Sequence, residues 1–510
     1  MIQPFSNDLK RILQVVSRAS DDVPVYLVGG AVRDHLLGVE SHDLDFCLNA
    51  SPIPLARRVA NALNAGFFLL DEQRETVRVV VHEPDGSINY LDFARFREDS
   101  LVEDLWKRDF TINAMALPVQ EDFISLQLID PCGGLQDLRD KRLKACSDSA
   151  FEDDPVRVLR LIRFAQKLRF HIDPQTLQDA RSSVPSLERV SAERKRDEIF
   201  QILESPGARV GVDLLDRLRV LPVIFPELEK LKGVKQPTPH VHDVWSHTLE
   251  TVSRLEILLN VLAENLSEQT PAGMMVAQAS LWLGRYREQI HAHLNRRLNP
   301  LRLLRGLTFF CALFHDVGKP DAAFQDEEGR IRFFGHEELS ASLAVSRAQA
   351  LALSHDEVNH IQKVITGHMR IHWLASEGQP PSPRAIYRYF RDLGEAGVDV
   401  CLLSLSDLWA TYSHTLTQEQ WVSELRVCRA LLEAKWEKEN ILITPPVLIK
   451  GGELIRELGL QPGPLIGQTL EAIREAQVEG MVLDKQSALA FAREWIINKS
   501  FPQQKEERET

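Results

Sequence analysis

Between Tyr26 and Phe46 the chain reads YLVGGAVRDHLLGVESHDLDF, and this stretch combines the residue types that act on phosphate groups. Asp43 and Asp45 are one residue apart, so on a strand they point to one face while Leu44 and Phe46 point to the other. One face can then hold divalent metal and the other can enter a core. The apolar run Tyr26-Leu27-Val28 stops at Gly29-Gly30, and Ala31 to Leu37 shows the apolar spacing of a helix. Two glycines let the backbone approach a phosphate closely. The N–H groups at the helix start, aided by Arg33, favour the charge of a triphosphate. A lone GG is usually a turn and a lone Asp-x-Asp a solvated strand edge; together, in this order, they predict a metal-assisted phosphate site.

These residues resemble the signature of the polymerase-beta nucleotidyltransferase superfamily. The tight GGAVRD form resembles the class II branch that holds tRNA nucleotidyltransferases, or CCA-adding enzymes, and bacterial poly(A) polymerases. The resemblance implies a third carboxylate, Asp92, in the strand-like NYLDFARFR. Lys107-Arg108-Asp109-Phe110-Thr111-Ile112-Asn113-Ala114 matches the family's RRDFTxNA motif, with Lys107 in place of the first arginine. By the same resemblance Arg108 contacts the nucleotide's sugar or phosphates, Asp109 helps to position them, and Asn113 belongs to the nucleotide site. Ile129-Asp130-Pro131-Cys132-Gly133-Gly134, followed by Asp137-Leu138, looks like the family's hinge motif and is equally consistent with an ordinary domain-joining turn.

Asp153-Asp154-Pro155-Val156-Arg157 precedes VLRLIRFAQKLRF. Three residues apart on a helix, Asp154 and Arg157 share a face and form a pair of one acceptor and one fork of donors. Cytosine and adenine each offer an amino donor beside a ring acceptor, so a carboxylate and a guanidinium can pair with either. Uracil and guanine would face the same pair acceptor to acceptor and donor to donor. Buried groups left unpaired in that way support discrimination of about 10⁴ or more. The bland reading is an acid capping a helix dipole with an intrahelical ion pair. Arg160, Arg163, Lys167 and Arg169 follow, and VSAERKRDEIFQIL matches the family's next helical motif with Glu193 and Arg194. Arg160 is assigned to the nucleotide; Arg163, Lys167 and Arg194 are candidates for an RNA backbone, with an exposed amphipathic face as the alternative.

Composition bounds these readings. The 510 residues imply about three or four domains, and 44% hydrophobic content is ample for several cores. The net charge of −13 argues against indiscriminate nucleic-acid binding, leaving room for a local basic groove after residue 154. No apolar run reaches the ~18 residues of a membrane span. The start MIQPFSNDLKRIL lacks a signal core. Cys47, Cys132, Cys146, Cys311, Cys401 and Cys428 are scattered without paired spacing and read as reduced cytosolic residues. A cytoplasmic location and no membrane partner are therefore expected.

Short β-rich runs such as VRVVV and NYLDF alternate with helices up to about residue 146, and long helical segments dominate beyond it. The expected fold is α+β: an N-terminal polymerase-beta-like mixed sheet with helices, followed by all-helical domains. The expected divisions are a catalytic head at 1–146, a helical nucleotide- and RNA-binding neck at 147–235, a domain at 236–435 whose His247, His315-Asp316, His336, His368 and Asp407 resemble an HD domain, with a helical insertion near 264–300, a C-terminal helical region at 436–500, and a disordered tail at 501–510. GVKQPTPH marks the boundary near 233–240.

A second set of ligand types begins at His247 in VHDVWSHTLETV and continues with His315-Asp316 in CALFHDVGKP, His336, His368 and Asp407. Their order resembles the HD phosphohydrolase superfamily. Histidine with carboxylate suits one or two divalent transition metals better than magnesium alone. The alternative is a degenerate HD fold kept for packing or RNA contact. His240, His242 and His372 read as bystanders. From Leu448 onward the chain also looks like the end of HD-containing tRNA nucleotidyltransferases.

The resemblance implies a template-independent enzyme that extends the 3′ end of tRNA from CTP and ATP, with Asp43, Asp45 and Asp92 holding Mg²⁺ and pyrophosphate released. Between Arg97 and Lys107 only EDSLVEDLW intervenes, where complete CCA-adding members usually carry a longer flexible loop associated with the switch from C to A. Addition of CC alone, completed by a separate A-adding enzyme, is therefore open beside full CCA addition. Two further alternatives are a bacterial poly(A) polymerase, and an HD-type RNA-end phosphohydrolase whose N-terminal domain holds RNA.

Overall fold

The computed structural model describes residues 5–72, 75–120, 127–263 and 273–500. The predicted tail at 501–510 and the part of the predicted insertion at 264–272 lie outside the described residues. The chain forms two compact units: residues 1–202 with 213–223, and residues 203–212 with 224–510. The expected division at residue 146 falls inside the first unit, and that at 235 inside the second. A mixed-sheet head followed by helical domains is the fold class that the sequence pattern implies.

In the first unit six strands, β1 (Val25–Val28), β2 (Asp43–Leu48), β3 (Gly66–Asp71), β4 (Thr76–His82), β5 (Ile88–Arg95) and β6 (Ala116–Pro118), form one sheet in the order β3-β4-β5-β2-β1-β6. The predicted runs VRVVV and NYLDF lie in β4 and β5. Alternation drives both strands: Val77, Val79 and Val81 of β4, and Leu91 and Phe93 of β5, are buried on one face. Helix Pro52–Leu63 packs there with Leu55, Ala56 and Val59. β2 and β5 pair in parallel with Asp45 opposite Asp92 and Phe46 opposite Phe93. Phe46 and Phe93 stack with ring centroids 4.9 Å apart on the core face, so Asp45 and Asp92 stand together on the other.

Beyond the sheet, the turn at Asp130–Gly134 is held by its own acid. Asp130 accepts from the amides of Gly134 at 2.7 Å and Leu135 at 2.9 Å, which starts the helix Gly134–Arg139. A Cβ on Gly134 would collide with the carbonyl of Thr111, so this glycine lets the turn press against the loop that carries Asp109. Helices Arg157–Leu168 and Ala192–Glu204 follow.

Among the described residues, the regular structure of the second unit is helical apart from a short hairpin pairing Phe324–Gln325 with Ile331–Arg332. Helix Leu304–Phe314 is buried except at Arg305, and Ala396–Tyr412 along nearly all of its length, as expected for largely apolar core helices. They pack against each other and against Val244–Val261. The described part of the predicted insertion is helical, with helices Met274–Leu283 and Arg287–Leu294. Towards the C-terminus Ile449, Leu454, Ile466, Ile473, Ala476 and Val482 form a separate apolar cluster. Among the described residues no helix is long and apolar enough to cross a membrane.

Gly134→Ala is expected to destabilise the first unit by about 2 kcal/mol or more, because backbone rather than a flexible side chain must yield; chemical denaturation followed by tryptophan fluorescence will measure it.

Candidate active site

On the outer face of the sheet Asp43 and Asp45 reach solvent from β2, and Asp92 is half-exposed on β5. Arg78 of β4 sits opposite Asp92 in the register and grips it with Nε to Oδ1 and Nη2 to Oδ2, each at 2.7 Å. Surrounding protein strips enough water from Asp45 to push its carboxyl above the ordinary range. Arg108 opposes that shift, and Asp92 and Asp43 add to it. This is a crowded anionic face, of the chemistry that binds divalent cations through oxygen.

The glycine turn stands beside it. Gly29 has φ of +74°, and a Cβ there would lie 3.1 Å from Nη1 of Arg108 and 3.2 Å from Oδ2 of Asp45. Only glycine leaves that gap open. Arg108 also approaches Asp104 at 3.5 Å, and its Nε is buried without a hydrogen-bond partner. A guanidinium with an orphaned donor, and with another nitrogen at a glycine gap, fits a phosphate oxygen. Gly30 opens the helix Gly30–Leu36.

Arg33 departs from its expected place. Rather than facing an open phosphate cradle it is 4% exposed, donating from Nε to Asp34 at 2.8 Å and from Nη1 to Asn113 at 2.6 Å. Asn113 Nδ2 in turn donates to Asp109 Oδ1 at 3.1 Å, and the Phe110 amide to the same oxygen at 2.8 Å. Arg160 closes on Asp109 Oδ2 with Nε at 2.8 Å and Nη2 at 2.6 Å. Burial alone would raise the Asp109 carboxyl, but Arg160 and the bonds from Asn113 and Phe110 hold it below its ordinary value. Burial likewise works against the Arg160 charge, and Asp109 and Glu198 overcome it.

The pair expected between Asp154 and Arg157 does not form. Pro155 forbids helical geometry at the residue before it, so Asp154 is extended, at φ −151° and ψ 96°, between helices Ala150–Asp153 and Arg157–Leu168. Its Oδ2 accepts from Arg194 at 2.7 Å. Arg157 is buried and donates to the carbonyls of Ala150 at 3.1 Å and Lys107 at 2.7 Å. Arg163 is likewise committed, to Glu198 at 2.7 Å, whereas Lys167 is exposed. The short segment after Arg97, expected in place of a longer flexible loop, contains a helix, Leu101–Trp106, capped by Ser100 and fixed by buried Asp104, which accepts from the Arg97 amide at 2.9 Å.

In the second unit the histidines and acids singled out by sequence converge. His247 Nε2 lies 2.9 Å from Asp407 and 3.3 Å from His315 Nε2. Asp316 lies 3.3 Å from His315, 3.3 Å from His336 and 4.0 Å from His368. The Nδ1 atoms of His315, His336 and His368 bond backbone carbonyls of Ala312, Phe333 and Ile365, which leaves each Nε2 lone pair facing inward. His336 Nε2 and His368 Nε2 are buried with no hydrogen-bond partner. Two sets suit a metal ion, His247-His315-Asp316 and Asp316-His336-His368. Lys319 Nζ approaches Asp316 at 2.5 Å.

His372 is no bystander: it bonds Asp407 at 3.0 Å and also Glu424. Arg78, Asp104, Glu198, Lys319, His372 and Glu424 escaped sequence reasoning. For Arg78 the signal was present, a lone cation on the polar face of VRVVV, but its partner depends on strand order.

A strand pair bearing carboxylates beside a glycine turn, running on into helices, defines the class as a nucleotidyltransferase. Family models agree: residues 25–144 match the poly A polymerase head domain, 169–232 a model described as "Probable RNA and SrmB- binding site of polymerase A", and 407–492 a tRNA nucleotidyltransferase domain 2. The chain is 31% identical over 475 residues to an A-adding tRNA nucleotidyltransferase of Deinococcus radiodurans, covering 92% of this chain and 95% of that one. It is 31% identical over 482 residues to a CC-adding tRNA nucleotidyltransferase of Thermus thermophilus, covering 92% and 93%. A solved CCA-adding enzyme complexed with ATP shares the fold, at 22% identity and a TM-score of 0.62 over 96% of each chain. The chain belongs to the tRNA nucleotidyltransferase family.

Because the folded Asp109 carboxyl lies below its ordinary ~3.9, its charge contributes stability that is complete above about pH 4 and drains as the pH falls towards the folded value. Asp109→Asn is expected to cost about 1–3 kcal/mol near neutrality and to show a shallower loss of stability between about pH 5 and 3, as urea unfolding at each pH will measure.

Proposed function

We propose that this chain extends the 3′ end of tRNA without a nucleic-acid template, adding C from CTP and releasing pyrophosphate. The observation that carries the reading is the parallel register that sets Asp45 beside Asp92, with Asp43 on the same face and the gap of Gly29 against Arg108. The family uses divalent metal. Asp43, Asp45 and Asp92 would hold Mg²⁺, which supplies activation of the RNA 3′-hydroxyl and neutralisation of the triphosphate. Arg78 must release part of its grip on Asp92 for that carboxylate to serve. The 3′-hydroxyl oxygen forms a bond to the α-phosphorus as the bond to the bridging oxygen breaks and pyrophosphate leaves. Gly29 and Gly30 admit the phosphates, and Arg108 turns its orphaned Nε to them. Arg33, Asn113 and Arg160 position Asp109.

Asp154 supplies the acceptor for the base's amino group. Its bond to Arg194 joins side chains 28% and 54% exposed, an arrangement typically worth about 0–1 kcal/mol, so a base can exchange for it. Arg157 remains the donor half of the reading only if it leaves the two carbonyls, and Lys167 with Arg194 offers charge to the RNA backbone. The helix Leu101–Trp106, with Asp104 fixing its approach, stands where a mobile loop would serve the change to ATP. We therefore favour CC addition, with a separate A-adding enzyme completing the end. Full CCA addition, A addition and long A tails are distinct outcomes of the same assay.

The second unit supports an independent reading, an HD-type centre for divalent transition metal, from the inward Nε2 atoms of His315, His336 and His368, His247 beside them, and the acids Asp316 and Asp407. Hydrolysis of phosphoesters at RNA ends is the activity that such a centre suits.

Purified protein with magnesium is to be given tRNA transcripts ending before CCA or after CC, with each labelled nucleotide. Two C additions and no A are expected; a completed CCA overturns the loop argument, and CMP incorporation surviving Asp43→Ala with Asp45→Ala overturns the assignment. Asp154→Ala should retain incorporation yet lose about 10²-fold or more of the preference for CTP over UTP. His315→Ala should leave incorporation intact and lower transition-metal content measured by mass spectrometry.

A further inference from the structure

Asp407 stands in helix Ala396–Tyr412, and its two oxygens face different neighbours. Oδ1 lies 2.9 Å from His247 Nε2 and 3.7 Å from His315 Nε2, inside the histidine group, while Oδ2 lies 3.0 Å from His372 Nε2. The other ring nitrogen of His372, Nδ1, bonds Glu424 from helix Gln418–Glu437. A carboxylate thus faces each nitrogen, so both are engaged and His372 has no lone pair left for a cation. His315, His336 and His368 are the opposite case: each turns Nδ1 to a backbone carbonyl, which leaves Nε2 free to serve as a ligand. Neither set of side chains that suits a metal ion includes His372.

Glu424 is 4% exposed, and its Oε2 is buried with no hydrogen-bond partner. Burying a carboxylate with one oxygen unanswered weakens a fold, so packing does not account for this residue; holding His372 does. The backbone around the pair is tied down as well. Ser404 Oγ, about one turn before Asp407 in the same helix, donates to the His368 carbonyl at 2.6 Å, and Ser423 Oγ, next to Glu424, donates to the Ala375 carbonyl at 3.1 Å. The short helix Arg370–Ser376 that carries His372 is therefore pinned near both ends. The last torsion of an aspartate is broad, so the bond at Oδ2 sets the plane of the Asp407 carboxylate and aims Oδ1 at the histidines.

We propose that His372, held by Glu424, is the positioning residue of the second unit's cation site: it takes Oδ2 of Asp407 and leaves Oδ1 aimed where His247 and His315 converge. The inference rests on the HD-type reading of this centre and adds to it a chain of contacts, Glu424 to His372 to Asp407, that fixes a ligand without touching the metal. Removing a partner of this kind costs about 10- to 100-fold in metal affinity.

The full-length protein, stripped with chelator and supplied with excess Mg²⁺, is to be titrated with Co²⁺ and followed by its visible d–d absorption. His372→Ala is expected to bind Co²⁺ about 10- to 100-fold more weakly than the unsubstituted protein, yet to reach the same band positions at saturation. His372→Gln, which keeps a donor towards Oδ2, should recover most of the affinity. Glu424→Ala should weaken binding in the same direction, and the double variant should be no weaker than His372→Ala, because the two act as one unit. Circular dichroism melting of the metal-free proteins separates weak binding from a lost fold, and His372→Gln with Glu424→Ala carry the test if His372→Ala does not fold. Unchanged affinity in His372→Ala, shifted bands that make His372 a ligand itself, or losses that add in the double variant would each overturn the proposal. Absence of Co²⁺ binding by the unsubstituted protein would overturn the HD-type centre and this inference with it, whereas binding that survives both substitutions overturns the inference alone.

Discussion

The carboxylate of Asp109 is the point on which the first unit turns. It is 6% exposed, and a charge so placed persists only if every lone pair is answered. The answers come from two stretches of chain, the motif loop with the Phe110 amide and Asn113, and Arg160 from the first long helix beyond the sheet; a third stands behind them, since Arg33 from the helix after the glycine turn holds Asn113. Arg160 and Arg163 both reach Glu198 in the helix Ala192–Glu204. One buried anion thereby ties the glycine turn, the motif loop and two helices into a single rigid support.

That support explains a division of labour among the arginines. Arg33, Arg157 and Arg163 have their donors engaged by protein partners, so they fix geometry. Arg108 keeps Nε unanswered, with Nη1 at the gap of Gly29. Basic residues that look alike in sequence separate into scaffold and contact only when their partners are known, since a guanidinium with its donors satisfied has little left to offer a phosphate.

The fold class and the two constellations could be read from sequence because local rules govern them. Period-two alternation placed Asp43 and Asp45 on one face, and the resemblance of their order to HD phosphohydrolases picked out His247, His315, Asp316, His336, His368 and Asp407. What could not be read depends on long-range pairing. Strand order alone brings Arg78 to Asp92, and helix packing alone brings His372 and Glu424 to Asp407. The expected face-sharing of Asp154 and Arg157 failed for a local reason that was visible: Pro155 denies helical geometry to Asp154. Ser100 and Asp104 likewise carried the signal for an ordered helix after Arg97, through an N-cap three residues before Glu103.

The parallel pairing of β2 with β5 also governs when the site can exist. The other pairings in this sheet are antiparallel. β2 must instead wait for a partner that emerges only after β3 and β4 have been made. Such a non-local closure is among the slow steps of folding, because the loop entropy is spent before any contact rewards it. Asp43 and Asp45 therefore lack Asp92 in any form of the chain in which β2 and β5 have not yet paired. A growing polypeptide that exposes only its first glycine turn and first acid pair presents no assembled cation cage, so competence to act arrives together with the closed sheet.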